Sequence, residues 1–310
     1  MGTWEGHISP GVAFYSFGIV FCFQLSKEYL TKNRRKKETC KKSDRSKTSW
    51  GKVLERIMDF PLDSFLKILY GFGAAMAELF YPPGTNKLYL VDANGHWAHL
   101  NEWQHFTMYM SFAASGIIDI ISQKIMRKRI VPLEKAAVAV AFYVTALLLF
   151  YHRHGKEEIE QEVHELLLYA NLAMCAVLTV EMWRPSDKIL EYSHTLLVMQ
   201  MGSWLFHAAF ILFPRNGAAK WNDKDMWNQM VLPIFFCWHI FLNVGVLGII
   251  FLIQYLRLKF RRDSSYQDLD QSELQMEGGC CANLPTNKRS KSSESDEGSP
   301  FLTDIDTTYA

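Results

Sequence analysis

Seven stretches of this 310-residue chain are each mainly apolar over the length of a membrane crossing. They lie near 10–30, 61–81, 99–123, 132–152, 162–183, 188–213 and 229–257. A hydrocarbon layer about 30 Å thick is crossed by ~20 helical residues. In lipid every backbone N–H and C=O must find its partner within the protein, which only helices and closed barrels provide. Runs this long without period-two alternation exclude a barrel. The predicted fold is therefore all-α, a bundle of seven transmembrane helices. The second run carries Asp63, Lys67 and Glu78 and the third Glu102, His105 and Asp119. Both are expected to turn those groups into the bundle, because an unpaired ionisable group in hydrocarbon costs several kcal/mol. Although 49% of residues are hydrophobic, mean hydropathy is only −0.04. A basic segment and a polar tail offset the apolar runs.

Basic residues near helix ends stay on the cytoplasmic side. The segment 31–56 holds Arg34, Arg35, Lys36, Lys37, Lys41, Lys42 and further Lys and Arg, and basic clusters also follow the third and seventh runs. No Lys or Arg precedes the first run. An odd number of crossings, N-terminus outside or lumenal and C-terminus cytoplasmic, satisfies all of these. The start lacks a basic region ahead of an apolar stretch with a small-residue cleavage site, so the first helix is expected to remain as a signal anchor. None of the six cysteines is expected on the oxidising side, which implies no disulfide framework.

The expected organisation is a membrane domain over 1–260, with a basic cytoplasmic loop at 31–56, and a disordered cytoplasmic tail over 261–310. That tail is rich in Ser and acidic residues and poor in aliphatics, too little to bury a core. Its "YQDL" at 266–269 has the form of a tyrosine-based sorting signal, and Cys280 and Cys281 are candidates for palmitoylation. Against both stands the plainer reading of a polar linker. The expected partners are the lipid bilayer, anionic lipid at the basic loop at about 1 kcal/mol per Lys or Arg, and trafficking adaptors at the tail. Nothing points to nucleic acid. A Golgi, other endomembrane or plasma-membrane location is expected.

In this topology, polar residues of several helices fall at one depth, towards the outer side. They are His7 before the first crossing, Glu78 ending the second, His105 in the third, His152 and His154 closing the fourth, His164 opening the fifth, His207 in the sixth and His239 in the seventh. Residues three, four and seven apart share a helix face. Glu102, His105, Tyr109, Gly116 and Asp119 therefore form one polar stripe, and Gln200, Ser203 and His207 another, each expected to face the bundle interior. Imidazole is the commonest transition-metal ligand, and helix bundles draw ligands from different helices. The candidate ligands for Zn or another transition metal are His7, Glu78, His105, His152, His154, His164 and His239. Two other readings stand beside this one. Imidazoles also relay protons or sense pH, and histidines near helix ends also anchor a bundle without chemistry.

No Walker loop, dinucleotide fingerprint or G-x-S-x-G is present, and "HELLL" at 164 lacks the second histidine of H-E-x-x-H. The leading expectation is a membrane protein without catalytic activity. The alternative is a metal-dependent membrane hydrolase or a haem or redox protein, either of which needs an open coordination position.

Several motifs resemble the transmembrane protein 45 family of multi-pass membrane proteins. They are "GHISPG" at 6–11, "AEL" around Glu78, "WQHFTMY" at 103–109, "FYHRH" at 150–154, "HELLLYA" at 164–170, "LFP" at 212–214 and "FCWH" at 236–239. The resemblance implies recurrent polar positions at His7, Glu78, His105, His152, His154, His164, Glu191 and His239, and implies no reaction. The chain departs from the family pattern at Glu162, where a His-x-His pair with His164 is usual, at His207, where Gln is usual, and at His194, where Arg is usual.

Overall fold

The computed structural model describes residues 3–35, 61–215 and 217–280, with side chains described up to 260 apart from 32–35. Most of the basic loop at 31–56, and the tail from 281 onwards, lie outside the described residues. The chain divides into a unit over Met1–Arg257 and a second over Leu258–Ala310.

Among the described residues there are seven α-helices: α1 (Trp4–Arg35), α2 (Leu62–Phe80), α3 (Leu100–Ile120), α4 (Val131–His152), α5 (Glu158–Trp183), α6 (Lys188–Leu212) and α7 (Met226–Cys280). A single π-helical turn, Ile121–Ile125, follows α3. Five helices, α1, α4, α5, α6 and α7, are long and apolar enough to cross a membrane. Asp63, Lys67 and Glu78 keep α2 below that mark, and the polar start of α3, Asn101 to His105, together with Asp119 does the same for α3. Local chemistry sets several boundaries. Pro132 sits in the first turn of α4, where a missing N–H leaves nothing unpaired. Asp187 caps α6 by accepting from the Ile189 N–H at 3.0 Å. Gly155, at φ +76°, lets the chain turn between α4 and α5. The last helix continues 20 residues past Phe260, to Cys280. No proline stands between Pro233 and Pro285, and the Leu, Gln and Glu that follow 268 sustain a helix.

Neighbouring helices pack in the order α2, α3, α4, α5, α6, α1, around a central space. In lipid, apolar burial alone drives no association, and close backbone approach through small residues takes its place. Gly71 of α2 lies against the backbone of Tyr109 and Ala113 of α3, and Gly116 of α3 against the Ser64 carbonyl. Gly11 and Gly18 of α1 press against α6, where Gly202 faces Tyr15 in return. Met174, Leu178, Met199 and Trp204 are the large apolar side chains buried between α5, α6 and their neighbours.

Helix α7 leans on this ring along one polar seam. Gln200 donates to the Phe236 carbonyl at 2.9 Å, and Asn243 donates to Gln200 Oε1 and Ser203 Oγ, each at 3.0 Å. Its other face is bare, with Phe241 73% and Leu242 64% exposed. An apolar surface of that kind suits a hydrocarbon solvent and would be a liability in water.

Candidate functional site: an imidazole cluster capping a central chamber

Four histidines from four helices meet at one end of the bundle. His7 is in the first turns of α1, His105 in α3, His152 at the end of α4 and His164 near the start of α5. Their rings form a chain, with centres 4.7 Å apart for His105 and His152, 5.3 Å for His152 and His164, and 5.6 Å for His164 and His7. His7, His152 and His164 are buried.

Each ring uses the same nitrogen to hold its place. Nδ1 of His7 lies 3.0 Å from the Thr3 carbonyl, that of His164 2.7 Å from the Glu160 carbonyl, and that of His152 2.8 Å from Gln104 Oε1. Nδ1 of His105 stands 3.3 Å from Glu78 Oε1. A backbone carbonyl only accepts, so Nδ1 is the donor in His7 and His164 and Nε2 is left to other partners. Among the described residues, however, no group of three or more His, Cys, Asp or Glu is gathered closely enough to hold a metal ion as it stands.

Five of the seven expected residues, His7, Glu78, His105, His152 and His164, are thus brought together, and two are not. His154 lies in the turn after α4, exposed, with Nδ1 on the Tyr151 carbonyl at 3.2 Å and its ring stacked on Tyr151. It is two residues from His152, a step that turns a helix by more than half a revolution. His239 pairs with His207 at 3.0 Å between α6 and α7. The buried Trp204, whose indole N–H donates to the Val163 carbonyl at 3.0 Å, packs against both rings of that pair.

Below the imidazoles is a chamber of about 390 Å³, lined by α1 to α6. Phe14, Phe112 and Phe142 touch one another at its waist, with ring centres 5.0 to 6.3 Å apart. The opposite end is polar again; the sequence turned Lys67 and Asp119 into the bundle but did not group them with Arg129, Glu134 or Glu28. There Lys67 pairs with Asp119, Arg129 with Glu134 at 2.7 Å, and Lys188 with both Glu28 and Glu191. The Glu134 carboxylate, hydrogen-bonded to it, raises the Arg129 guanidinium above its ordinary value. Glu181 of α5, fully buried, receives Lys135 of α4 at 2.6 Å and His194 of α6 at 3.4 Å on one oxygen, while its other oxygen has no partner. The available signal was the set of Asp, Glu and Lys residues inside the ends of apolar runs.

The comparisons with known proteins bear on the same helices. Residues 131–252, from α4 into α7, match a family of unknown function (DUF716). Transmembrane epididymal protein 1 of Rattus norvegicus is 31% identical over 264 residues, covering 80% of this chain and 81% of that protein. The chain belongs to this DUF716 family. Another relative is transmembrane epididymal protein 1A of Mus musculus, 30% identical over 264 residues, with 80% of this chain and 81% of that protein covered. Transmembrane epididymal protein 1 of Homo sapiens is 36% identical over 146 residues, covering 47% of this chain and 54% of that protein. Apolar helices and relatives named as transmembrane proteins together make this DUF716 chain an integral membrane protein.

Proposed function

We propose that the chain is a seven-pass membrane protein of the transmembrane protein 45 type within DUF716, with α1 beginning outside or in a lumen and the tail cytoplasmic. Its imidazole quartet, His7, His105, His152 and His164 with Glu78 behind His105, holds a transition-metal ion such as zinc. A Golgi, other endomembrane or plasma-membrane location belongs to the same reading. So do anionic lipid at the basic loop and trafficking adaptors at the tail.

The observation that carries the metal reading is the uniform anchoring of the four rings. A metal-binding histidine characteristically gives its other ring N–H to a carbonyl or carboxylate, which fixes the tautomer and frees the second nitrogen. Zinc-to-nitrogen bonds of 2.0–2.1 Å in a tetrahedron put ring centres roughly 5 Å apart, and successive rings along the chain of four stand 4.7 to 5.6 Å apart. The four rings follow one another in a chain, so binding asks its two ends, His105 and His7, to draw in around the ion. Four imidazoles also complete a tetrahedral shell and leave no open position, which favours a structural or regulatory ion over the hydrolase or redox alternative.

The test is elemental analysis of the full chain purified in mild detergent after equilibration with zinc. About one zinc per chain is expected, lost in His164→Ala and in His152→Ala and kept in His154→Ala and His239→Ala. A folded chain that leaves the column free of zinc overturns the reading.

A further inference from the structure

The ring of helices has one unpacked joint. α1 packs on α6 and α2 packs on α3, but among the described residues α1 and α2 share no packed interface. One hydrogen bond spans the joint, between the hydroxyls of Ser9 and Tyr70 at 3.0 Å. The chamber lies directly behind, since Tyr70 and Gly71 of α2 and Pro10, Phe14, Phe17 and Phe21 of α1 all line it.

Its dimensions and chemistry define an occupant. From Ser9 to Glu28, which lines the far end, α1 advances roughly 28 Å at 1.5 Å per residue, close to the ~30 Å of a hydrocarbon layer. A volume of about 390 Å³ drawn out over that length is a slot. α1 presents an apolar stripe to it at Pro10, Phe14, Phe17, Phe21 and Leu25, one side of the helix at spacings of three and four. At the far end Lys67, Arg129 and Lys135 are each already paired with a carboxylate, so none of these cations is free for an anionic head group. At the joint, by contrast, the Ser9 and Tyr70 hydroxyls both donate and accept.

We propose that this slot holds the extended acyl chain of a single-chain amphiphile with a hydroxyl-bearing head, of the monoacylglycerol class, admitted from the bilayer between α1 and α2. The chain lies along the α1 stripe and the head meets Ser9 and Tyr70. The proposal uses none of the imidazole Nε2 atoms and stands whether or not they hold an ion.

The test uses the full chain in phospholipid vesicles with a photoreactive, alkyne-tagged monoacylglycerol, and maps the labelled residues. Label is expected on the α1 stripe and on Phe142, displaced by excess unlabelled monoacylglycerol and not by cholesterol. Ala13→Trp, which fills the slot, is expected to cut that label about tenfold, whereas Val140→Trp on the lipid-facing side of α4 leaves it unchanged. Label confined to lipid-facing residues such as Phe241 and Leu242, or equal displacement by cholesterol, overturns the proposal. Mapping on the unaltered chain decides the matter even if Ala13→Trp does not fold.

Discussion

Gly202 of α6 lies so close to Tyr15 of α1 that a Cβ at position 202 would stand 2.9 Å from both Cα and Cβ of the tyrosine. No side chain can be added there without parting two helices. Gly202→Val is expected to destabilise the purified protein by about 3 kcal/mol or more, the upper range for overpacking. Gly73→Ala, with nothing within 4 Å of its added carbon, is expected to leave the protein at least as stable. Thermal unfolding in detergent measures both, and equal transitions would refute the close-packing account.

Gln200 is the hub of the seam between α6 and α7, receiving from Asn243 and donating to the Phe236 carbonyl. Hydrogen bonds between membrane helices contribute about 0.6 to 2 kcal/mol, and α7 is otherwise held by the His207–His239 pair, the Gln229–Glu158 bond and the buried Leu232. Gln200→Leu is expected to raise hydrogen exchange and protease cleavage in α7 while α1 to α6 keep their protection. Uniform loosening of all seven helices would contradict it.

Lys135 approaches the buried Glu181 at 2.6 Å. Removing one partner of a buried ion pair costs about 3–5 kcal/mol, whereas replacing both by apolar groups is often neutral. Discounted because Lys135 is partly exposed, Lys135→Met is expected to cost roughly 2 kcal/mol. Lys135→Met with Glu181→Leu should recover most of that loss. Unfolding of the single and double variants checks the order, and a double variant weaker than the single one would refute it.

The proposed orientation predicts that an epitope placed before Trp4 is bound by antibody on intact, plasma-membrane-expressing cells. An epitope at the C-terminus should be bound only after permeabilisation. The reverse staining pattern would invert the topology and with it the assignment of the imidazoles to the outer side.

What the sequence disclosed was depth, and what it withheld was azimuth. The apolar runs announced where helices lie, and the depth argument put His7, His105, His152 and His164 at one level, where their rings meet. Depth alone also admitted His154 and His239, which point elsewhere because their positions around the helix differ and Trp204 packs between α5 and the α6–α7 pair. The ion pairs at Asp119, Glu134 and Glu181 stayed hidden because a charged residue near a helix end is compatible with the membrane interface as well as with burial. Nothing in the sequence marks Gly18 and Gly202, since only the partner helix shows why a side chain is missing.

Phe14, Phe112 and Phe142 narrow the chamber between its two polar ends. A hydrated ion would have to shed its water to pass three phenyl rings, the dewetting barrier that shuts hydrophobic pores. The rings thus form an apolar collar in one continuous chamber: an alkyl chain laid along α1 passes it with its dispersion contacts kept, whereas a charge at the same point loses its hydration.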